Sequence, residues 1–302
     1  MLAAPLLAAA LAAAAPTPGF PVTVVSVEER GELVETVLSF PSPRKSPWPA
    51  NDTVYAHLVA KKGLAGAPAV LVLPVMAAPN VWIETRFTER FARDGFAVMW
   101  LEMPTQFRRR PHPSMPSGQV FLGRTTASLA RNYRQSIADA RRALDLLATR
   151  PEADPGRVAV FGISLGAIVG AMVYSLDPRP KFALFLLGGA DFPRLLLDSD
   201  MTGPFARKMG LTAEAVRLAW PGLDPGERRE ANRGRPVLLV NASWDRVVPR
   251  ANGVKLKDAF PDARQLWVPG GHYSAIVHLL WLPGYASRAL SVALGPDAVK
   301  KR

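Results

Sequence analysis

The sequence contains no cysteine and only four histidines among its 302 residues. The absence of cysteine excludes disulfide bonds and a lipid-modified cysteine. The histidines are widely separated along the chain, and no H-E-x-x-H segment occurs. We therefore predict that the protein has no metal centre and needs no cofactor.

Acidic residues are the scarcer charged class, since 25 Asp and Glu stand against 37 Lys and Arg. The resulting net charge of +12 at pH 7 is an imbalance that attracts nucleic acids or anionic surfaces. However, the sequence has no basic repeat interleaved with aromatic residues and no pattern typical of a recognition helix. We therefore predict no nucleic-acid partner, and we interpret the three arginines at 108–110 as part of a solvated loop.

The hydrophobic run at the amino terminus is short. Residues 1–15 are almost wholly Leu and Ala, and they are too few to span a bilayer comfortably. The run resembles the hydrophobic region of a signal peptide, with Ala-x-Ala cleavage choices that end at Ala14 or Ala15. We expect export to the periplasm or the medium without a stable membrane anchor, and a cytoplasmic location if residues 1–15 are not a signal peptide.

The pentapeptide G-I-S-L-G at 162–166 is the most informative feature that is present. It follows an apolar run at 157–161 with the β-branched content of a buried strand, and it precedes a small apolar run at 167–175 that is typical of a helix. A G-x-S-x-G segment between a strand and a helix is typical of a nucleophile elbow, a tight turn that lifts the serine hydroxyl above the sheet edge. This context predicts Ser164 as a nucleophile.

A serine nucleophile needs a base, and the candidates are the four histidines. His272 follows a predicted strand at 265–268 and lies in a Gly-rich loop, where an imidazole can reach a neighbouring strand end. His57 lies in an alternating strand, His112 in a Pro-rich loop and His278 in an apolar run that resembles a helix. We therefore predict His272 as the base.

The base in turn needs an acid that orients it. Asp245 lies on the loop directly after the predicted strand at 237–241. The chain order Ser164, Asp245, His272 is the order expected of hydrolases in which a nucleophile elbow carries the serine. Asp191, which follows the predicted strand at 182–187, is the rival. We favour Asp245, because its spacing to the histidine leaves room for one helix and one strand, and we interpret Asp191 as a capping or lid-anchoring carboxylate.

The chain resembles the serine hydrolases of the α/β-hydrolase fold, and its pattern is nearest to the dienelactone hydrolase and acetyl-xylan-esterase-like branches. The resemblance rests on D-P-G-R-V-A-V-F-G-I-S-L-G-A at 154–167, W-D-R-V-V-P at 244–249 and G-G-H at 270–272. It implies that a small-molecule ester is hydrolysed through an acyl-enzyme on the serine of the first segment.

The resemblance also implies an oxyanion hole made of two backbone N–H groups. One belongs to the residue after the nucleophile, Leu165, and the other to the loop after the third strand, P-V-M-A-A-P at 74–79. That loop has neither the His nor the Gly common in the family, and we assign its N–H donor to Met76, with Val75 as the alternative. Two other interpretations stay open, a catalytically silent binding protein of this fold and a serine peptidase on the same triad.

Apolar strands alternate with helix-length segments, which predicts an α/β fold with a mostly parallel eight-stranded sheet and helices on both faces, in a single domain over 16–302. A Pro-rich basic stretch at 104–126 and a candidate lid at 191–234 interrupt the alternation. We expect Leu196 and Trp220 of the lid to line an acyl pocket. The sequence gives no indication of the oligomeric state. The predicted strands lie near 33–40, 54–60, 69–74, 97–102, 158–162, 182–187, 237–241 and 265–268, and the predicted helices near 81–94, 127–149, 165–176, 250–259 and 274–293.

Overall fold

A computed structural model describes residues 18–77 and 79–295, so the predicted signal peptide at 1–15 lies outside the described residues. The strands are β1 (Thr23–Arg30), β2 (Leu33–Pro41), β3 (Thr53–Lys61), β4 (Ala67–Leu73), β5 (Ala97–Leu101), β6 (Ala153–Ile163), β7 (Phe182–Leu186), β8 (Val237–Ala242) and β9 (Arg264–Val268). The α-helices are α1 (Trp82–Arg93), α2 (Thr126–Leu147), α3 (Leu165–Leu176), α4 (Phe192–Asp198), α5 (Gly203–Lys208), α6 (Ala213–Ala219), α7 (Arg250–Ala259) and α8 (Leu282–Leu294). Within the described ranges, no helix has both the length and the apolar character needed to cross a membrane.

The nine strands form one sheet in the order β1-β2-β3-β5-β4-β6-β7-β8-β9. Strands β1, β2, β3 and β5 pair antiparallel in that order, whereas every pairing from β5–β4 to β8–β9 is parallel. The residues of β4, β5, β7 and β8 are almost wholly buried, as expected where helices cover both faces of a parallel sheet. The carboxyl ends of the parallel strands therefore meet at one edge, on both sides of the central strand β6.

Helices cover both faces of this sheet. Helices α2, α3 and α7 pack on one face, around residues such as Leu129, Met172 and Leu256. Helices α1 and α8 pack on the other face, around residues such as Phe91 and Leu290. We call these two apolar clusters the α3 side and the α1 side. Successive strand residues alternate between them, because side chains of a strand point to opposite faces.

The predicted α/β class, with a mostly parallel sheet covered on both faces, is confirmed. The sheet has nine strands rather than eight, because the sequence pattern does not reveal the edge strand β1. Seven of its eight residues are exposed, and the remaining one, Ser26, is half-buried. A strand without a buried face leaves no hydrophobic alternation in the sequence. Backbone pairing with β2 holds it in place instead.

The helix predicted at 274–293 is divided in the structure into a 3-10 helix, Ser274–Leu280, and the α-helix α8. Pro283 is the second residue of α8. Proline lacks an N–H group and is tolerated only in the first turn of a helix, so the α-helix begins beside it and does not run through it. The division leaves Ser274–Leu280 as a short separate segment directly after His272.

The insertion at 191–234 packs against the α3 side. It contains α4, α5, α6 and a 3-10 helix at Pro225–Arg228. Leu196, Val216 and Trp220 are buried in the same apolar cluster as α2 and α3. The Trp220 ring also stacks on Tyr133 of α2, with ring centroids 6.3 Å apart. The insertion therefore covers apolar surface that this face of the sheet would otherwise expose.

The basic cluster at 108–110 corrects one expectation from the sequence, because Arg109 is fully buried and not part of a solvated loop. Its guanidinium donates to Oδ2 of Asp139 at 2.7 Å and to the carbonyl oxygens of Asn51 at 2.7 Å and Glu102 at 2.9 Å. A buried charge is tolerated where it is paired and its donors are satisfied. Arg109 thus fastens this segment to α2 and to the end of β5, a role that a run of arginines does not reveal.

Candidate active site

Ser164 is the single residue between β6 and α3, and its backbone has φ 53° and ψ −114°. Such a conformation in a residue other than glycine costs about 1–3 kcal/mol and persists where the surroundings enforce it. The flanking positions are glycines for steric reasons. A Cβ on Gly162 would collide with the carbonyl oxygen of Gly166, and one on Gly166 would collide with that of Leu73. The turn places Ser164 at the carboxyl edge of the sheet.

The three side chains predicted from the sequence lie together in one chain of hydrogen bonds. Oγ of Ser164 lies 2.9 Å from Nε2 of His272, and Nδ1 of His272 lies 2.7 Å from Oδ2 of Asp245. Oδ1 of Asp245 accepts from the backbone N–H groups of Val247 at 2.9 Å and Val248 at 2.8 Å. These two donors fix the carboxylate. Asp245 can therefore hold the Nδ1–H tautomer of His272 and leave Nε2 to accept from the serine.

Contacts between two loops set the position of His272. The N–H of Trp244, in the loop after β8, donates to the carbonyl oxygen of Gly270 at 3.0 Å. Gly270 has φ 125°, and a Cβ on Gly271 would lie only 3.3 Å from the carbonyl oxygen of Trp244. The two glycines therefore let the loop after β9 pass close to the loop that carries Asp245. The imidazole is shielded, since its side chain is 9% exposed and that of Asp245 is 2% exposed.

Asp191, the rival acid, lies apart from this chain of hydrogen bonds. It occupies the N-cap position of α4 with φ 61°. Its carbonyl oxygen accepts from the N–H of Leu195 at 2.8 Å and from Nδ2 of Asn252 at 3.2 Å. Nδ1 of His272 is already paired with Asp245. Asp191 thus contributes to the start of the insertion.

The other histidines also lie away from the serine. His57 is buried between two glutamates on the other half of the sheet. Nδ1 of His112 lies 2.7 Å from Oγ of Ser114, and Nε2 of His278 lies 2.8 Å from the carbonyl oxygen of Pro269. Across the described ranges, no group of three or more His, Asp and Glu residues is arranged to hold a metal ion.

The loop after β4 is held by a buried carboxylate, Glu84, which has no distinctive signal in the sequence. Oε1 of Glu84 on α1 accepts from the N–H of Val75 at 2.9 Å, and Nε2 of Gln106 donates to the carbonyl oxygen of Val75 at 3.0 Å. Glu84 is 1% exposed, and this burial raises the pKa of its carboxyl group. Because the N–H of Val75 already has an acceptor, Met76 is the better placed of the two predicted donors. Glu84 belongs to an ordinary amphipathic helix, so only tertiary contact reveals it.

The other candidate donor is the N–H of Leu165, the first residue of α3. The first N–H groups of a helix have no intrahelical acceptor and lie at the positive end of the helix dipole. Leu165 and Met76 line the same cavity as Ser164 and His272. Two backbone donors thus belong to elements that flank the serine, where they could stabilise an oxygen that becomes negative.

Ser164 and His272 open into a cavity of about 570 Å³. Its walls include the loop after β4, the ends of β6 to β9, parts of α1, α2 and α3, the insertion and the 3-10 helix Ser274–Leu280. As expected, Leu196 and Trp220 of the insertion are among the lining residues. No Asp, Glu, Lys or Arg of the described residues lines it. A cavity of this size and apolar character suits a small organic ligand.

Known proteins resemble this chain more in structure than in sequence. No family model matches the chain. A segment of 122 residues is 32% identical to the alpha/beta hydrolase domain-containing protein WAV2 of Arabidopsis thaliana. The match covers 37% of this chain and 38% of that protein, so it spans well under half of the relative's length.

Solved structures match over most of the chain at low identity. An acetyl xylan esterase from Paenibacillus sp. R4 has a TM-score of 0.70 at 19% identity, with 92% of this chain and 90% of that chain covered. Acetyl xylan esterase 1 from Thermoanaerobacterium sp. JW/SL YS485 has a TM-score of 0.64 at 16% identity, with coverage of 88% and 89%. A cold-adapted esterase from an Arctic intertidal metagenomic library has a TM-score of 0.64 at 17% identity, with coverage of 89% and 98%. The chain has the α/β-hydrolase fold.

Proposed function

We propose that this protein is a serine hydrolase that cleaves carboxylic esters through an acyl-enzyme on Ser164. The observation that carries the proposal is the continuous chain of hydrogen bonds from Ser164 through His272 to Asp245. It begins at a backbone turn with positive φ and opens into a cavity that excludes charged side chains. The solved structures named above include esterases, which is consistent with the same reaction class.

In the first half of the reaction, Oγ of Ser164 attacks the ester carbonyl carbon while its proton passes to Nε2 of His272. The Oγ–carbon bond forms, and the carbonyl electron pair moves to the oxygen. The N–H groups of Leu165 and Met76 donate to this oxygen, a type of contact worth about 3–4 kcal/mol in the transition state. The carbon–oxygen bond to the alcohol then breaks, and the alcohol leaves with the proton from Nε2. Asp245 stabilises the imidazolium that forms in between.

In the second half, water replaces the alcohol. His272 Nε2 takes a proton from the water as its oxygen attacks the acyl carbon, and the oxygen of the second tetrahedral intermediate uses the same two N–H donors. When the bond to Ser164 breaks, Nε2 returns the proton to Oγ. The products are the carboxylic acid and the free enzyme, so the cycle needs no cofactor to balance it.

The proposal is tested by labelling and turnover measured on one preparation. A fluorophosphonate should react with one serine, identified as Ser164 by peptide mass spectrometry, and p-nitrophenyl butyrate should be hydrolysed with a burst of p-nitrophenol under acyl-enzyme accumulation. The variant Ser164→Ala should lose both properties. Labelling of another residue, or wild-type turnover in the variant, would overturn the assignment.

The same experiment separates the proposal from the two other interpretations of the sequence. A catalytically silent binding protein would show neither labelling nor turnover. A serine peptidase would also be labelled and would also hydrolyse p-nitrophenyl butyrate, so a peptide amide is added as a second substrate, which a peptidase should cleave and an esterase should leave intact. We also propose export through residues 1–15, and intact-mass analysis of the protein from its native host should then give a mature chain that begins near Ala15 or Pro16.

A further inference from the structure

The wall of the cavity at Ser164 is apolar and comes from both sides of the sheet, and we call the part of the cavity beside each side a lobe. One lobe is lined by residues of the α3 side, including Leu129, Tyr133 and Leu195. The other is lined by residues of the α1 side, including Phe87 and Leu279. Ser164 is the turn residue between β6 and α3, and it lines the same cavity as the residues of both lobes. A carbonyl carbon at its Oγ would have apolar wall in both directions.

Three of the few hydroxyl groups in the wall already have a hydrogen-bond partner within the protein, those of Thr202, Tyr133 and Ser199. Oγ1 of Thr202 donates to the carbonyl oxygen of Leu196 at 2.8 Å, and the Tyr133 hydroxyl donates to that of Ile168 at 3.2 Å. Oγ of Ser199 accepts from a backbone N–H at 3.1 Å. A bound molecule with several hydroxyl groups would therefore find few partners. Burying a hydroxyl without a partner weakens binding, whereas burying apolar surface strengthens it.

The apolar surface continues from the lobes to the mouth of the cavity. Met201, Tyr273 and Ile276 line the cavity and are also exposed to solvent. Leu280 and Val277, on the 3-10 helix beside the mouth, are exposed as well. A substrate that approaches Ser164 thus passes mostly apolar side chains. The residues that give the protein its net charge of +12 do not line the cavity.

We infer that the substrate is an ester with apolar groups on both sides of the scissile bond, an aliphatic or aryl acyl chain in one lobe and an apolar alcohol in the other. This inference rests on the proposed ester hydrolysis at Ser164. It separates this protein from the acetyl xylan esterases whose fold it shares, since an acetylated sugar has a minimal acyl group and an alcohol part rich in hydroxyls.

The test varies the two sides of the ester independently. One series holds the alcohol constant, as p-nitrophenyl acetate, butyrate and octanoate, and the other holds the acyl group constant, as methyl, butyl and octyl butyrate followed by pH-stat. We expect kcat/KM to rise in both series by about three- to fourfold per added CH2 until a lobe is filled, the fold-change that about 0.8 kcal/mol per buried CH2 represents. Acetylated xylo-oligosaccharide should be hydrolysed less efficiently than octyl butyrate.

Two lobe-filling variants make the test specific. Leu195 and Leu279 are half-buried and lie in different lobes, so Leu195→Trp and Leu279→Trp should each shorten the chain length tolerated in one series and leave the other series unchanged. Melting temperatures verify that both variants fold. If both variants shift both series together, or if kcat/KM rises in one series only, the two-lobe inference is wrong.

Failure of this inference is distinguishable from failure of the proposed function. A protein labelled by fluorophosphonate at Ser164 that hydrolyses p-nitrophenyl acetate but shows flat chain-length profiles would contradict only the substrate class. A preference for acetylated xylo-oligosaccharide would do the same. A protein that is neither labelled nor active on any ester would contradict the proposed function itself.

Discussion

Two histidines of this protein lie in shielded surroundings beside carboxylates, His57 on β3 and His272 after β9. Nδ1 of His57 lies 2.9 Å from Oε1 of Glu35, and its Nε2 lies 3.3 Å from Oε1 of Glu102. The imidazole also stacks on Trp100, with ring centroids 3.7 Å apart. Burial opposes a charge on this ring, but the hydrogen bonds to Glu102 and Glu35 outweigh it and raise the pKa of His57.

His272 has one carboxylate partner and not two. Its Nδ1 faces Asp245 and its Nε2 faces the hydroxyl of Ser164. A ring with a carboxylate at each nitrogen must donate twice and is favoured in its protonated form, whereas a ring with a hydroxyl at one nitrogen can accept there. The partner of the second ring nitrogen therefore decides whether the imidazole is held as a cation or keeps one nitrogen that can accept a proton.

Substitution of the proposed nucleophile or of the proposed base should have the largest effect on kcat. Ser164→Ala and His272→Gln should each lower kcat on p-nitrophenyl butyrate by about 10⁶, because members of such a triad act as one unit. Circular dichroism and thermal melts should show that both variants fold. Ser175→Ala is the matched control, since its buried hydroxyl makes no hydrogen bond within the described residues and should be dispensable. A loss of less than tenfold in Ser164→Ala would disprove its role.

The next effect separates the two candidate acids. Asp245→Asn should reduce kcat by about 10⁴, because an amide favours the wrong tautomer of the histidine. Asp191→Asn should leave kcat close to that of the wild type, because Nδ1 of His272 is paired with Asp245 and Asp191 lies at the start of α4. Steady-state kinetics of the two variants checks the ranking. The reversed ranking would place the acid after β7.

His57 should matter for stability and not for turnover. Removing one partner of a buried ion pair costs about 3–5 kcal/mol, so His57→Gln should lower the free energy of unfolding by about 3 kcal/mol near pH 6. Urea denaturation measures this change, and kcat on p-nitrophenyl butyrate is the control that should stay constant. A loss of activity without a loss of stability would erase the distinction between the two histidines.

The stabilisation by His57 should also depend on pH with a definite sign. Because the pKa of His57 is raised in the folded protein, its contribution is complete below the ordinary value of 6.5 and is lost as the pH rises through the raised pKa. The pKa of Glu35 is lowered, first of all by its hydrogen bond with His57, so its contribution is complete above 4.5 and is lost at lower pH. The difference in unfolding free energy between wild type and His57→Gln should therefore be largest between these values and shrink towards pH 9. A difference that grew with pH would contradict the assignment of a protonated ring.

Substitutions of Glu84, another buried carboxylate, should have a smaller effect, because its partner is a backbone N–H and not a histidine. Glu84→Ala removes the acceptor of the Val75 N–H and should lower kcat by about tenfold with little change in KM. The reason is that a shift of the loop after β4 would weaken the proposed hydrogen bond from Met76 to the oxyanion in the transition state. Glu84→Gln keeps an oxygen acceptor and should restore most of kcat. Equal losses in the two variants would indicate that Glu84 contributes only to packing.

Much of the candidate site could be predicted because its residues occupy positions with local signals. Ser164 lies between two glycines after an apolar strand, and Asp245 and His272 follow the strands β8 and β9. Strand ends in a parallel sheet meet at one edge, so chain order alone brings the three residues near one another. The structure adds their distances, and their catalytic roles stay predictions until the variants above are measured.

Residues without such local signals could not be predicted. Arg109 belongs to a run of basic residues of the kind usually exposed to solvent. In the structure it is fully buried, where the carboxylate of Asp139 on α2 and two backbone carbonyls accept hydrogen bonds from its guanidinium. Glu84 belongs to a helix with an ordinary amphipathic pattern, yet it holds the loop after β4. The partners of both residues are distant in the sequence or lie in irregular loops, and no periodicity records them.

Local sequence patterns are enough to predict the α/β class, the turn at Ser164 and the order of the three candidate catalytic residues. These properties follow from short-range physics, in which buried strands need apolar residues and a tight turn needs glycine on both sides. Only contacts between distant elements show that His57 lies between two carboxylates and that apolar residues from both sides of the sheet line one cavity. Both features depend on contacts between side chains of different strands and helices. Hydrogen bonds and apolar burial form only where those side chains meet in space, and the order of residues along the chain does not specify this.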